Sequence, residues 1–194
     1  MKRIVLSTLL FANILSLSAN DYNAYEATFL IEKNLNSFPK ELDELLKKDD
    51  NYKLGILQLT NQDYMGETTV KHGDPHTPEQ VKEVQVKVPN FHKAYENFKL
   101  SYAKYQNPLS SFILTSLIKT SYGTKNKLED FAKYSKINYE NKLCSGYIDY
   151  GESLQRGYFQ KVNLAKAKEV YEEGVNNCKT SWYGAIISSK LMSL

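Results

Sequence analysis

The chain is poor in the residues that grip phosphate. Its only arginines are Arg3 and Arg156, against 23 lysines, so guanidinium forks for bidentate phosphate contacts are scarce. The formal charge is +3, and it drops to +1 once Lys2 and Arg3, which fall in the leader described below, are set aside. That balance gives no electrostatic case for nucleic acid. Cysteine is limited to Cys144 and Cys178, and two thiols without paired histidines do not complete a tetrahedral zinc shell. There is no glycine-rich phosphate loop, haem attachment motif or nucleophile elbow. Only one long apolar run occurs, Ile4 to Leu15, and it is shorter than the ~20 residues that span a bilayer.

That run has a specific setting. Met1-Lys2-Arg3 is a basic start, and Ser16, Ser18 and Ala19 form a small-residue exit ahead of Asn20-Asp21. The order predicts a secretory signal peptide over 1–19, cleaved after Ser18 or Ala19. The mature chain, 20–194, is then periplasmic or secreted and not membrane-spanning. In an oxidising compartment, an even cysteine count favours one disulfide, Cys144 to Cys178.

What is abundant is helical pattern. Apolar residues at helical spacing predict helices over 22–35, 52–59, 91–105, 108–122, 127–139, 143–156, 163–177 and 181–192, plus one capped by Ser37 with Pro39 at its start. The exception is Thr60 to Val88, which holds Gly66, Gly73, Pro75 and Pro78 and the alternating run Val81 to Val88. Alternation suits a strand, so residues of about 62–88 read as a non-helical insertion, with room for a small hairpin.

The chain also repeats itself. Leu164-x-x-Ala167-x-x-x-Tyr171-x-x-Gly174 matches Phe91-x-x-Ala94-x-x-x-Phe98-x-x-Ser101 without a gap, 73 positions apart, or about two periods of 36. Leu128-x-x-Phe131-x-x-x-Ser135 lies between them with its small and large positions exchanged, and Thr115 and Ile118 fall on Gly151 and Leu154. Leu54-Gly55 is an earlier copy of Tyr150-Gly151, brought into register by removing about 24 residues of the insertion. The small residues are expected to let the helices of a pair approach, and the aromatic to fill the groove between pairs. The expected fold is an all-α solenoid of antiparallel helix pairs, forming a single domain over 20–194.

Tyr150-Gly151-x-x-Leu154-x-x-Gly157, followed by Asn163-Leu164-x-Lys166-Ala167-x-x-x-Tyr171-x-x-Gly174, resembles the Sel-one-like repeat, a relative of the tetratricopeptide repeat. The cysteine pair makes it similar to the Helicobacter cysteine-rich protein family, whose repeats have bridged helices. Here one repeat carries the cysteines, each about one helical turn farther from the hairpin tip. The spacing still suits a bridge. Both cysteines lie nearly whole numbers of turns from Gly151 and Ala167, and ~21–23 Å back from the connection at 1.5 Å per residue.

Some members of that family are described as penicillin-binding or weakly β-lactamase-like, which the resemblance would place on a serine–lysine site. Ser-x-x-Lys occurs at Ser37/Lys40, Ser101/Lys104 and Ser116/Lys119 without a Ser-Asp-Asn, and Lys119-Thr120-Ser121 only approximates Lys-Thr-Gly. His72, Asp74, His76 and His92 have no preformed metal spacing across Gly73 and Pro75. The expectation is therefore a non-catalytic module with no metal or cofactor, acting as an adaptor for a protein or peptide. A β-lactamase-like enzyme and a structural subunit of an envelope complex are the alternatives. Tyrosine, with 15 copies, is a favoured contact residue for such a surface.

Overall fold

Asparagine and aspartate side chains open most of the helices, because a short side-chain oxygen satisfies amides left free at a helix start. Asn23, Asp49, Asn90, Asn107 and Asn163 each accept from a backbone N–H of the first turn. The computed structural model describes residues 23–72, 82–120, 128–158, 161–179 and 182–194; the leader therefore lies outside the described residues. Among those described there are nine α-helices: α1 (Ala24–Glu32), α2 (Lys40–Lys48), α3 (Asp50–Thr60), α4 (Phe91–Tyr105), α5 (Pro108–Lys119), α6 (Leu128–Glu140), α7 (Cys144–Arg156), α8 (Leu164–Asn177) and α9 (Trp182–Met192). Two strands, β1 (Gly66–His72) and β2 (Lys82–Val88), follow a short 3-10 turn at Gln62–Tyr64. The chain is mostly helical with one small sheet. α2 begins at Lys40, with the Leu42 amide on the Pro39 carbonyl, so the first turn is set by Pro39 rather than by Ser37. The helix expected from residue 52 opens two residues earlier, at Asp50, behind Asp49, whose carboxylate accepts from the Tyr52 amide at 3.0 Å.

Contacts within residues 20–194, expected to form one domain, cluster into two compact units: 43–131, and the described part of 1–42 together with 132–194. In the first, α3 packs on α4 and α4 on α5 around Tyr52, Ala94, Tyr95, Phe98, Leu109, Ile113 and Leu114, all buried. Burying each large apolar side chain contributes roughly 1.5–3 kcal/mol. The three helices are also joined by a buried polar knot. Asp49 Oδ2 accepts from Ser101 Oγ at 2.6 Å and from Asn107 Nδ2 at 2.9 Å, and Ser101 also bonds Ser110. A buried carboxylate with this many donors is satisfied, whereas removing one donor exposes the full desolvation cost.

The insertion of this unit is an antiparallel hairpin. Its register pairs Gly66 with Val88, Thr68 with Val86, Val70 with Val84 and His72 with Lys82 on one face, and Glu67 with Lys87, Thr69 with Gln85 and Lys71 with Glu83 on the other. Its mouth is pinned where Asn90 N donates to Gln58 O at 2.9 Å.

In the second unit, α7 packs on α8, and α9 packs on both. Tyr147, Leu154, Ala167, Val170, Tyr171 and Ile187 form its core. Gly146 lets α7 pass directly over the backbone of α6, since a Cβ there would lie 2.4 Å from the Asn138 carbonyl carbon.

Candidate functional site

The best-defined feature is the α7–α8 pair, which the disulfide closes. Cys144 opens α7 and Cys178 caps α8, with Cα atoms 5.9 Å apart and the sulfurs bonded. Along the pair, Tyr171 lies under Gly151: a Cβ at Gly151 would sit 2.3 Å from Tyr171 Cε1. Leu154 O accepts from Asn163 N at 3.0 Å where the chain turns back, and Asn163 Oδ1 accepts from Lys166 N at 2.9 Å.

The α3–α4 pair repeats each of these contacts except the disulfide. A Cβ at Gly55 would sit 2.8 Å from the Phe98 ring, Gln58 O accepts from Asn90 N, and Asn90 Oδ1 accepts from Lys93 N at 3.2 Å. Gly55, Gln58, Asn90, Lys93 and Phe98 thus play the parts of Gly151, Leu154, Asn163, Lys166 and Tyr171. The closing residues stand nine positions apart in one pair (Leu154 to Asn163) and thirty-two in the other (Gln58 to Asn90). The difference of 23 is the hairpin insertion.

Three expectations are corrected. The aromatic fills the space inside each pair, against its glycine, rather than the groove between pairs. Leu164, expected to pack, is the first residue of α8 and remains 49% exposed. Phe91 stands at the same position of α4 and is only partly buried. Gly157 serves a different purpose from close approach. It ends α7 with φ of +70° and ψ of 36°, a left-handed conformation that favours glycine. Gly174, by contrast, lies against Tyr147, 2.7 Å from its Cβ to a built Cβ, while Ala94 and Ala167 are fully buried. In the intervening copy, Thr115, Ile118, Phe131 and Ser135 are buried.

On the surface of the same unit, Glu173 of α8 gathers a polar and aromatic cluster. Its carboxylate accepts from Tyr139 Oη at 2.8 Å, from Lys142 Nζ and from Tyr147 Oη at 3.4 Å. Asn177 Nδ2 donates to Tyr147 Oη at 2.7 Å. Tyr139 also stacks on Tyr150, with ring centroids 5.2 Å apart, and meets Tyr147 edge-on at 5.4 Å. The Lys142 hydrogen bond holds Glu173 below the usual carboxylate range. Because Tyr139 donates to that carboxylate, its hydroxyl is pushed up to about 12.

Glu32, which the sequence reading did not single out, is the second charged centre. It is buried at the end of α1, where Oε2 accepts from Ser145 N at 3.0 Å and Ser145 Oγ at 2.6 Å, and Oε1 accepts from Tyr183 Oη at 2.7 Å. Leu143, at the N-cap of α7, offers no side-chain cap, so Glu32 caps that helix from 113 residues away in sequence. A carboxylate suits a helix start. Even so, burial raises its pKa, with the Ser145 and Tyr183 bonds opposing that rise.

The serine–lysine spacings are not brought together as a site. Ser101 Oγ is fully buried against Asp49 and Ser110, while Lys104 lies over the Tyr105 ring, 4.8 Å from its centroid. Ser116 Oγ donates to its own helix at Phe112 O, and Ser37 lies in the turn before α2. Asp74, His76 and Ser121 lie outside the described residues; His72 ends β1, and His92 is exposed on α4. No group of three metal-ligating side chains occurs among the described residues, and no described helix is long and apolar enough to cross a membrane. Comparison with family models, curated proteins and solved structures finds no match.

Proposed function

We propose that the chain is an exported helical-repeat protein of the Sel-one-like, tetratricopeptide-related kind, serving as a non-catalytic adaptor for a protein or peptide. The observation that carries this reading is the shared construction of α3–α4 and α7–α8: the same asparagine cap, the same closing hydrogen bond and the same glycine against an aromatic ring. Repeat pairs of this sort stack on one another and vary their surfaces over a constant frame. The disulfide and the basic-apolar-small leader support an oxidising location outside the cytoplasm. Tyr139, part-exposed and stacked on Tyr150, supplies an aromatic of the type enriched at contact surfaces.

The test is site-specific photocrosslinking in cells. A crosslinker replacing Tyr139 or Lys166 is expected to capture one discrete protein, while one on the exposed face at Lys136 captures none. Covalent labelling by a fluorescent penicillin, abolished by substitution at a serine–lysine pair, would overturn the adaptor reading in favour of an enzyme.

A further inference from the structure

The hairpin leaves a question that the helical repeats do not answer. A lone two-stranded ribbon is marginal in water unless another strand or surface supports it. Among the described residues, β1 and β2 pair only with each other. Val70 and Val84 are 40% and 43% exposed on the ribbon's apolar face, beside Thr68 and Val86. The outer edge of β2 therefore presents unpaired backbone and half-covered valines, a template for another strand.

The sequence of β2, Lys82-Glu-Val-Gln-Val-Lys-Val88, has a symmetric centre, Val84-Gln85-Val86, flanked by the opposite charges Glu83 and Lys87. We infer that this edge pairs with β2 of a second copy of the chain, antiparallel about a two-fold axis at Gln85. That register sets Val84 opposite Val86 of the second copy, and Glu83 opposite Lys87 of the second copy, each twice. Directly opposed residues share a face. The polar face then reads Glu67, Lys87, and Glu83 and Lys71 of the second copy, with charges alternating across all four strands. The apolar face reads Val70, Val84, and Val86 and Thr68 of the second copy. Shifting by two residues loses both new charge pairs. Shifting by four sets Glu83 against Glu83, or Lys87 against Lys87. A one-residue slip sets valines against charges. Only the Gln85-centred register opposes Val84 to Val86 and Glu83 to Lys87 together, and it leaves Lys82 against Val88 at the two ends.

β1 is less suited to the same role. Self-pairing about Thr69 also opposes Glu67 and Lys71, but it sets Thr68 against Val70 and Gly66 against His72, so it gathers fewer β-branched apolar pairs. The match with β2 is specific, because charged edges repel unmatched strands. It is also isologous, so the assembly closes at two copies.

Sedimentation of the purified, disulfide-intact chain over a concentration series is expected to show a reversible monomer–dimer equilibrium. Glu83→Lys alone, and Lys87→Glu alone, each turn both new charge pairs repulsive and should weaken the dimer about tenfold or more. Mixing the two variants restores opposite charge at both pairs of the heterodimer, so the mixture should recover dimer that neither variant forms alone. Because each variant carries its own damage into the mixture, recovery does not depend on either being undisturbed. Gln85→Cys should form an intermolecular disulfide under mild oxidation, and Thr69→Cys should not. A monomer at every concentration, a mixture that fails to recover, or crosslinking through position 69 instead of 85 would each overturn the proposal. None of these outcomes bears on whether the helical repeats bind another protein.

Discussion

Replacing Gly151 by alanine tests the packing of the repeat through the sign of its effect. In a helix interior, glycine to alanine normally stabilises by about 1 kcal/mol, through the unfolded chain and helix propensity. At this position the new Cβ would lie 2.3 Å from Tyr171 Cε1, 2.6 Å from Cζ and 2.9 Å from Cδ1. Tyr171 is fully buried, so its ring has little freedom to retreat. Overpacking of this kind costs about 1–3 kcal/mol, and the closeness of the approach puts it at the upper end. Subtracting the propensity gain leaves a loss of about 2 kcal/mol. At roughly 2–4 °C per kcal/mol for a chain of this size, the melting temperature should fall by about 4–8 °C. Gly55→Ala meets Phe98 at 2.8 Å, a softer contact, and should cost about half as much. Thermal melts followed by circular dichroism, with denaturant midpoints as a second measure, give both values. In a Tyr171→Leu background the ring is gone, and Gly151→Ala should become neutral or stabilising, a coupling that a double-mutant cycle reads directly. A rise in melting temperature for Gly151→Ala in the native background would refute the placement of Tyr171 beneath Gly151. The correspondence between the two helix pairs would fall with it.

Other outcomes follow from the same geometry. Reducing Cys144–Cys178 opens a loop with a sequence separation of 34, which chain-entropy arguments value at about 3–4 kcal/mol; limited proteolysis should then cut α7–α9 before α3–α5, and simultaneous cutting would contradict this. Glu32 has a folded pKa above its unfolded value because of burial, so the native state binds its proton first and the chain gains stability as pH falls from the folded pKa to about 4.5. Glu32→Gln should lack that gain, and parallel stability profiles for the variant and the parent chain between pH 4 and 8 would reject the reasoning. Replacing residues 62–87 with a short glycine–serine connection should preserve helicity and cooperative melting, because Asn90 N and Gln58 O already close the mouth of the insertion; a non-cooperative melt would place the hairpin in the core.

Much of the local structure was legible in the sequence, because helix periodicity and strand alternation depend on neighbouring residues. Helical spacing marks Phe91–Tyr105, Val84 to Val88 alternate as a strand, and Gly55 and Gly151 recur with Phe98 and Tyr171 at offsets that match once the insertion is removed. The length of the insertion was also recoverable, as the number of residues that breaks the repeat register. Tertiary structure decided what those residues touch. A small residue looks the same in sequence whether it admits a ring, as Gly151 does, or ends a helix in the left-handed region, as Gly157 does. Leu164 matches the repeat pattern yet stays exposed, because its rotation on α8 depends on where that helix begins and which face meets α7. Glu32 was invisible as a cap for α7, since its partners Ser145 and Tyr183 lie 113 and 151 residues away. Periodicity reports which side of an element is apolar, whereas long-range hydrogen bonds arise only when the folded chain sets distant carboxylates and hydroxyls side by side.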